Sequence, residues 1–569
     1  MNPGWVANGQ DEVVFVAGSD AGANSFTVAL PSSGSFPQTW VKALTVNSGN
    51  VTFTGNQANF VLGASSTWTV NTGASLNFSG ADGINRNTNS LIVDVQGNGT
   101  ATTTRLQNSG GSLTKNGTGT LTINGANNYT GATNINDGTL VLSGAANANN
   151  SDIAIANSAN LTFSATDSKS FTKAISGTAG TVTFNVAGNT SDTGGGDGTN
   201  FAFNNTGNAF TGTIVINTGL VSPSGDSAFG DVNNVIQIAG TGGLVATANL
   251  SLPSTRAIQL TGTGDRILRV YGGATFTVNG GISGTGNLRK TDGGTTDLLV
   301  SGNFKDWPGG GGLTKTGNGV MVLSNANNTY TGVTIVKGGT LQVASTGFLN
   351  NIGVVYAGGG GGSGVITQAD GSRVTLAGNN FLSVGPDAGI TGTYTVGTLG
   401  GSSAALTAPR IFIGNNSSTN NGGVGAFTLN SGTVTTNQMD MGGTAAGNSG
   451  STLTINGGTF TDAGQFVVGA HGNTNSVSLT GGSLTTGVIF VAGYSDGGTG
   501  TGTFTQDGGT HTTGTVNFGA AAPAMASTTS TAAHSPQGLS IRAAAGRPRS
   551  TSTAARCKPR PRPPPSCKA

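Results

Sequence analysis

The stretch "GSLTKNGTGTLTINGANNYTGATNINDGTLVLSG", Gly111 to Gly144, decides how this chain reads. A second version, "GLTKTGNGVMVLSNANNTYTGVTIVKGGTLQVA", runs from Gly312 to Ala344. Both write L-T-K, then G-x-G, an alternating run, Y-T-G and G-T-L. In the first copy Leu121 and Ile123 alternate with Thr, and Ile135 alternates with Asn. Alternation over four to eight residues is the signature of a half-buried strand. Thr, Val, Ile and Phe suit a pleated surface, and the Asn-Gly, Gly-Gly and Asp-Gly pairs between runs supply turns. Helical spacing is absent, so the fold class is all-β with many short strands.

Working outward, the C-terminal part reveals a period. "FTLNSGTVT", "LTINGGTFT", "VSLTGGSLT" and "FTQDGGTHT" end at Thr435, Thr461, Thr485 and Thr512, steps of 26, 24 and 27 residues. A second series, ending at Gly414, Gly442, Gly469, Gly493 and Gly519, interleaves at the same mean spacing. A repeat of about 25 residues cannot bury its apolar face alone and must stack on copies of itself. The reading is a parallel β-helix (a β-solenoid) of about 25-residue coils. Val, Ile, Leu and Phe point inward, and Thr, Ser and Asn face water. A propeller, with blades of about 40–45 residues, fits the spacing less well.

Composition agrees. Of 569 residues 100 are Gly, 35% are hydrophobic and 8% are charged. Low charge separates the chain from ordinary disorder, and no G-X-Y period appears. No run of about 18 apolar residues exists, so no membrane helix is expected. The start, "MNPGWVANGQDEVVFVAG", lacks a basic segment followed by an apolar one, so no secretory signal is expected within this chain. The two cysteines, Cys557 and Cys567, leave the body without a disulfide framework or cysteine metal cluster.

The quoted stretches resemble the autotransporter-associated β-strand repeat of bacterial surface proteins. The resemblance rests on Leu113, Lys115, Gly117, Gly119, Leu121, Gly125, Tyr129, Gly131, Thr133, Ile135 and Gly138–Leu140. It returns at Leu313, Lys315, Gly317, Gly319, Tyr330, Gly332, Thr334 and Gly339–Leu341. Degenerate copies begin at Ile282 and Asn204. The resemblance implies a secreted or surface-exposed passenger stalk and no particular activity.

The expected organisation is a solenoid over 1–357 carrying these repeats, a Gly-rich loop over 358–372, and a second solenoid over 373–519 with 24–27-residue repeats. Residues 520–569 form a disordered basic Pro/Ala-rich tail. That tail holds 8 Lys/Arg, no Asp or Glu, and 8 of the 16 Pro, whereas the body has 16 Lys/Arg against 22 Asp/Glu. A basic arm would suggest charge-driven binding. The tail also reads as the repeat translated out of frame. With TCN codons for Ser and CGN for Arg, a one-base shift lets "STSTAARCK", Ser550–Lys558, decode as hydrophobic-Asn-hydrophobic-Asn-Gly-Gly-Thr, the pattern of "LTINGGTF" at Leu453. On that reading the native C-terminus and any membrane anchor are missing, and an uncapped last coil favours self-association.

Candidate chemistry is sparse. His471 and His511 read as solvent-facing turn or strand residues. Asp94, Asp137, Asp152, Asp192 and Asp197 are scattered, and most neighbour Gly as turn acids do. "GGGDGTN" at Gly194–Asn200 is not a tandem calcium repeat, and "GGGGGSG" at Gly358–Gly364 lacks the Lys-Ser/Thr of a phosphate loop. No catalytic, metal or cofactor residue is assigned and no cofactor is expected. The once-per-coil pairs Thr433/Thr435, Thr459/Thr461, Ser483/Thr485 and Thr510/Thr512 would form two hydroxyl rows, as ice-binding proteins present them. Coils of unequal length would disturb such an array. The expectation is a non-enzymatic structural or adhesive stalk, extracellular or on the outer-membrane surface, with surface glycans as partners and no nucleic acid. A β-helix lyase or glycosidase, and an ice-binding Thr ladder, are the alternatives.

Overall fold

The computed structural model describes residues 12–16, 24–30, 39–80, 82–108, 110–145, 150–188, 200–271, 273–292, 297–300, 311–415, 422–442, 450–469, 473–491, 501–518 and 539–544. His471, Asp192, Asp197, most of the 194–200 stretch and most of the tail lie outside them.

Among the described residues no α-helix occurs, and strands wind into a stack of coils. In the C-terminal half each coil has three faces. The first face contains Val355–Ala357, Phe381–Val384, Arg410–Ile413 and the second halves of Thr433–Met441 and Thr459–Val468. The second face contains Gly364–Gln368, Thr391–Val396, Val424–Leu429, Thr452–Ile455, Thr474–Leu479 and Thr501–Gln506. The third face contains Arg373–Leu376, Ala405–Thr407 and the first halves of the longer strands. Each strand pairs in parallel with its counterpart one coil away, about 4.8 Å along the axis. Among the named strands the single antiparallel pairing joins Thr501–Gln506 to Leu539–Ala544, a strand inside the segment expected to lack structure.

Alternation turns this ladder into a core. On the second face Ile366, Tyr394, Phe427, Leu453, Val477 and Phe504 stand in register and point inward, all buried. The rings of Tyr394 and Phe427 stack at 5.4 Å. Their neighbours Thr367, Thr395, Thr428, Thr454, Ser478 and Thr505 form the outward row. One hydrophobic cluster runs from Leu30 to Phe504. A solenoid has no single centre, so its apolar contacts are made between neighbouring coils and the core lengthens as coils are added.

Coil length varies more than the C-terminal period suggests. Leu113, Thr133, Ile153 and Ile175 are successive register partners only 20, 20 and 22 residues apart. The Gly-rich segment expected as a loop between two solenoids is instead part of one. Gly359 and Gly362 close a tight turn by hydrogen bonds of 2.8 and 3.2 Å, and Gly364–Gln368 pairs with strands on both sides. The glycines serve close approach rather than freedom: a Cβ on Gly364 would sit 2.1 Å from the Val336 carbonyl oxygen.

Candidate functional site

The repeated motif is the natural place to look for function, and its polar residues prove to be buried. Leu113–Asn116 is a short strand, so Leu113 and Lys115 share a side, and that side is the interior. Lys115 is 0% exposed. Its Nζ donates to the carbonyl oxygens of Asn116 at 2.7 Å, Gly117 at 2.6 Å and, one coil on, Asp137 at 3.3 Å. Lys315 does the same with Thr316 at 2.9 Å, Gly317 at 2.8 Å and Gly338 at 2.9 Å. The stem fills apolar space, and the ammonium caps the turn carbonyls of two coils. Burial pushes the Lys115 ammonium down to about 8, with Asp137 and Asp94 pulling it back. Lys290, in the degenerate copy, stands in register with Lys315 and is equally buried.

The tyrosine of the motif is the second interior polar group. Tyr129 and Tyr330 are fully buried, and each hydroxyl lies 2.7 Å from the hydroxyl of the Thr four residues on, Thr133 and Thr334. Thr133 also meets Ser151 of the next coil at 2.9 Å. The Arg86 guanidinium covers the Tyr129 ring at 4.7 Å, and its own pKa is pushed down to about 10 by burial. Buried polar groups must be hydrogen-bonded to be tolerated, and the motif supplies its own partners. Its buried Lys, Tyr and Thr clip neighbouring coils together.

Among the described residues, the candidate acids Asp94, Asp137 and Asp152 each have a separate partner. Asp137 accepts the Gly138 amide at 2.7 Å, Asp152 accepts the Ala174 amide at 2.9 Å, and Asp94 accepts from Gln96. Asp137 and Asp94 are used at their own turns, and Asp152 bonds the next coil. Among the described residues no three His, Cys, Asp or Glu side chains group to hold a metal.

His511 corrects the sequence expectation. It lies in register with Leu484, Phe460 and Val434 and points inward with them. Its ring stacks on Phe504 at 4.9 Å, and Nε2 lies 3.3 Å from Thr486 Oγ1. Burial holds its pKa down to about 4. The alternation of "GGTHTTG" carries this information, because His511 sits where its counterparts are Val, Phe and Leu.

Two acids carry perturbations that the sequence does not flag. Asp462 occupies the corner between the third and first faces, in the buried row Thr436, Asp462, Thr486. Burial raises its pKa to about 7, the Gly464 amide opposes the rise, and the charge of Asp440 adds to it. Asp440 is raised to about 6 by burial, and a bond from Gln438 and the Arg410 charge pull it back.

The hydroxyl rows are real and regular. Thr433, Thr459, Ser483 and Thr510 are register partners, as are Thr435, Thr461, Thr485 and Thr512. The register shifts fall after the rows, between Thr436 and Gln438 and between Asp462 and Gln465. Variation in coil length is thus taken up outside them.

Comparison with known proteins matches the motif. The passenger-associated-transport-repeat model fits residues 113–147 and 313–343. The chain is 34% identical over 201 residues to "Adhesin BmaC autotransporter" of Brucella suis biovar 1 (strain 1330), covering 34% of this chain and 5% of that protein. This chain therefore spans a small fraction of the relative's length. No solved structure matches it. With Lys115, Tyr129, Lys315 and Tyr330 all inside the two matched segments, the chain carries two copies of the passenger-associated-transport repeat.

Proposed function

We propose that this chain is a non-enzymatic adhesive stalk displayed at the cell surface. The observation that carries the reading is the fate of the motif: its Lys and Tyr are spent inside the rod, joining coil to coil. The exterior of the second and third faces is left as rows of Thr and Ser. Such a rod satisfies its backbone hydrogen bonds internally, so length is added coil by coil with little change in local chemistry. Contacts made by a stalk are spread along its side. The name of the Brucella relative, an adhesin, agrees with this reading.

The test is attachment. Latex beads coated with the purified chain are presented to host-cell monolayers and to abiotic surfaces, with heat-unfolded chain as the control. Retention by the folded chain alone supports the stalk. Equal retention of folded and unfolded chain, or of neither, refutes it.

A further inference from the structure

One stretch of the rod departs from the hydroxyl pattern. On the outside of the first face, successive coils carry Tyr356, Ser383, Phe412 and Asp440 in one row. Phe381, Arg410 and Gln438 continue along a second row beside it. These are outward positions of strands whose inward residues are Val355, Leu382, Ile411 and Met439. Tyr356 meets Phe381 edge-on at 5.8 Å, and Phe381 meets Phe412 edge-on at 5.4 Å. The Arg410 guanidinium lies over both phenylalanines, 5.5 Å from one and 5.8 Å from the other. Gln438 Nε2 donates to Asp440 Oδ2 at 2.7 Å. Phe412 is covered, while Tyr356, Phe381, Arg410 and Gln438 remain half-buried.

We propose that this strip, centred on Phe381 and Arg410, binds an uncharged polysaccharide chain laid along the rod. Three features select that ligand. Aromatic surface with a polar edge suits the C–H faces of sugar rings, and the hydroxyl rows from Thr433 to Thr512 offer none. The guanidinium of Arg410 and the amide of Gln438, side by side in the second row, supply donors and an acceptor to neighbouring hydroxyls. The strip also advances one position per coil, about 4.8 Å, and so runs along several coils, which suits an extended polymer better than a compact ligand. The Arg410 cation is set against the carboxylates of Asp440 and of Asp387, whose charge reaches Tyr356, so an anionic polymer gains no net attraction.

The inference deepens the adhesive reading and rests on it for its biological setting. The test titrates the purified chain with a soluble β-glucan hexasaccharide, and with polygalacturonate as the anionic probe, by calorimetry. Wild type is expected to bind the glucan. Phe381→Ala and Gln438→Ala are each expected to weaken it on the order of tenfold, the scale of one lost aromatic or polar anchor. Thr461→Val, on the third face, is expected to leave it unchanged. Circular dichroism melting of each variant separates lost binding from lost fold, and Gln438→Ala, the milder change, carries the test if Phe381→Ala unfolds. The proposal is overturned if wild type does not bind the glucan, if folded variants bind as wild type does, or if polygalacturonate binds more tightly. Bead attachment that survives Phe381→Ala also overturns it while leaving the stalk standing. Loss of all bead attachment by wild type sinks the stalk and leaves glucan binding to be judged by the titration.

Discussion

Lys115 Nζ lies 2.6 Å from the carbonyl oxygen of Gly117, and Lys315 Nζ lies 2.8 Å from that of Gly317. The same bond is built two hundred residues apart from the same letters. In both copies the glycine adopts positive φ, 72° and 75°, which turns its carbonyl toward the interior where only a donor from within can reach it. The ammonium also bonds the following coil, so each Lys ties its own turn to the next.

Lys315→Met keeps the stem and removes the donor. Three turn carbonyls then lose a partner, and a buried unsatisfied group costs about 1–3 kcal/mol. A loss of about 2–4 kcal/mol of local stability is expected. Because stability in a solenoid is local, the readout is hydrogen exchange of Leu313–Lys315 and Thr340–Val343, with Thr474–Leu479 as an unaffected reference.

Tyr129→Phe deletes one hydroxyl and leaves the ring. Thr133 keeps its contact with Ser151, so the expected cost is about 1 kcal/mol, the ordinary net value of one hydrogen bond. Chemical denaturation of wild type and variant measures it. A cost above about 3 kcal/mol would mean that the hydroxyl orders more than Thr133.

Gly138→Ala tests close approach between coils. Gly138 has φ of 65°, and an added Cβ would sit 2.4 Å from the carbonyl oxygens of both Gly117 and Gly119. Both obstacles are backbone, so no side chain can move aside, and strained φ adds about 1–3 kcal/mol. The variant is expected to lose protection in Thr139–Ser143 and in Thr120–Ile123 beneath it. Unchanged exchange there would contradict the geometry.

The C-terminal coils should respond to pH in two opposed ways. Asp462 titrates near 7 in the fold against an ordinary 3.8. Its raised value means that the stability it allows is fully present below about 4 and is lost as pH rises through about 7. His511 titrates near 4 against an ordinary 6.5. Its depressed value means that stability is present above about 6.5 and is lost as pH falls toward about 4. Asp462→Asn is therefore expected to stabilise the coils at pH 8, by on the order of 2–4 kcal/mol, and to matter little at pH 4. His511→Leu is expected to do the reverse, stabilising at pH 4 and mattering little at pH 8. Exchange rates of Ser483–Val491 at both pH values check the signs. A pH-independent difference in either variant would show that the charge is not what matters.

Much of the fold is legible in the sequence because its determinants are local. Alternation at Leu121, Ile123 and Ile135 specifies strands, and Gly at fixed intervals specifies turns. A repeated sentence specifies stacking, because a lone coil cannot bury its face. The in-register hydroxyl rows follow from the same period. What the motif residues do could not be read that way. Lys115 and Tyr129 are polar, and only the depth of the interior shows that their partners are carbonyls and hydroxyls of adjacent coils.

The sequence by itself determined an all-β rod of parallel coils, with Thr and Ser outside and Val, Ile, Leu and Phe inside, since a two-residue period and a repeat length are properties of the string. The tertiary structure alone decided which side His511 takes, how Gly358–Gly364 joins one continuous stack, and that Tyr356, Phe381, Arg410 and Gln438 share an outer strip. Those relations join residues 25 to 30 positions apart, and they are fixed only when corners and bulges set the register of one coil upon the next.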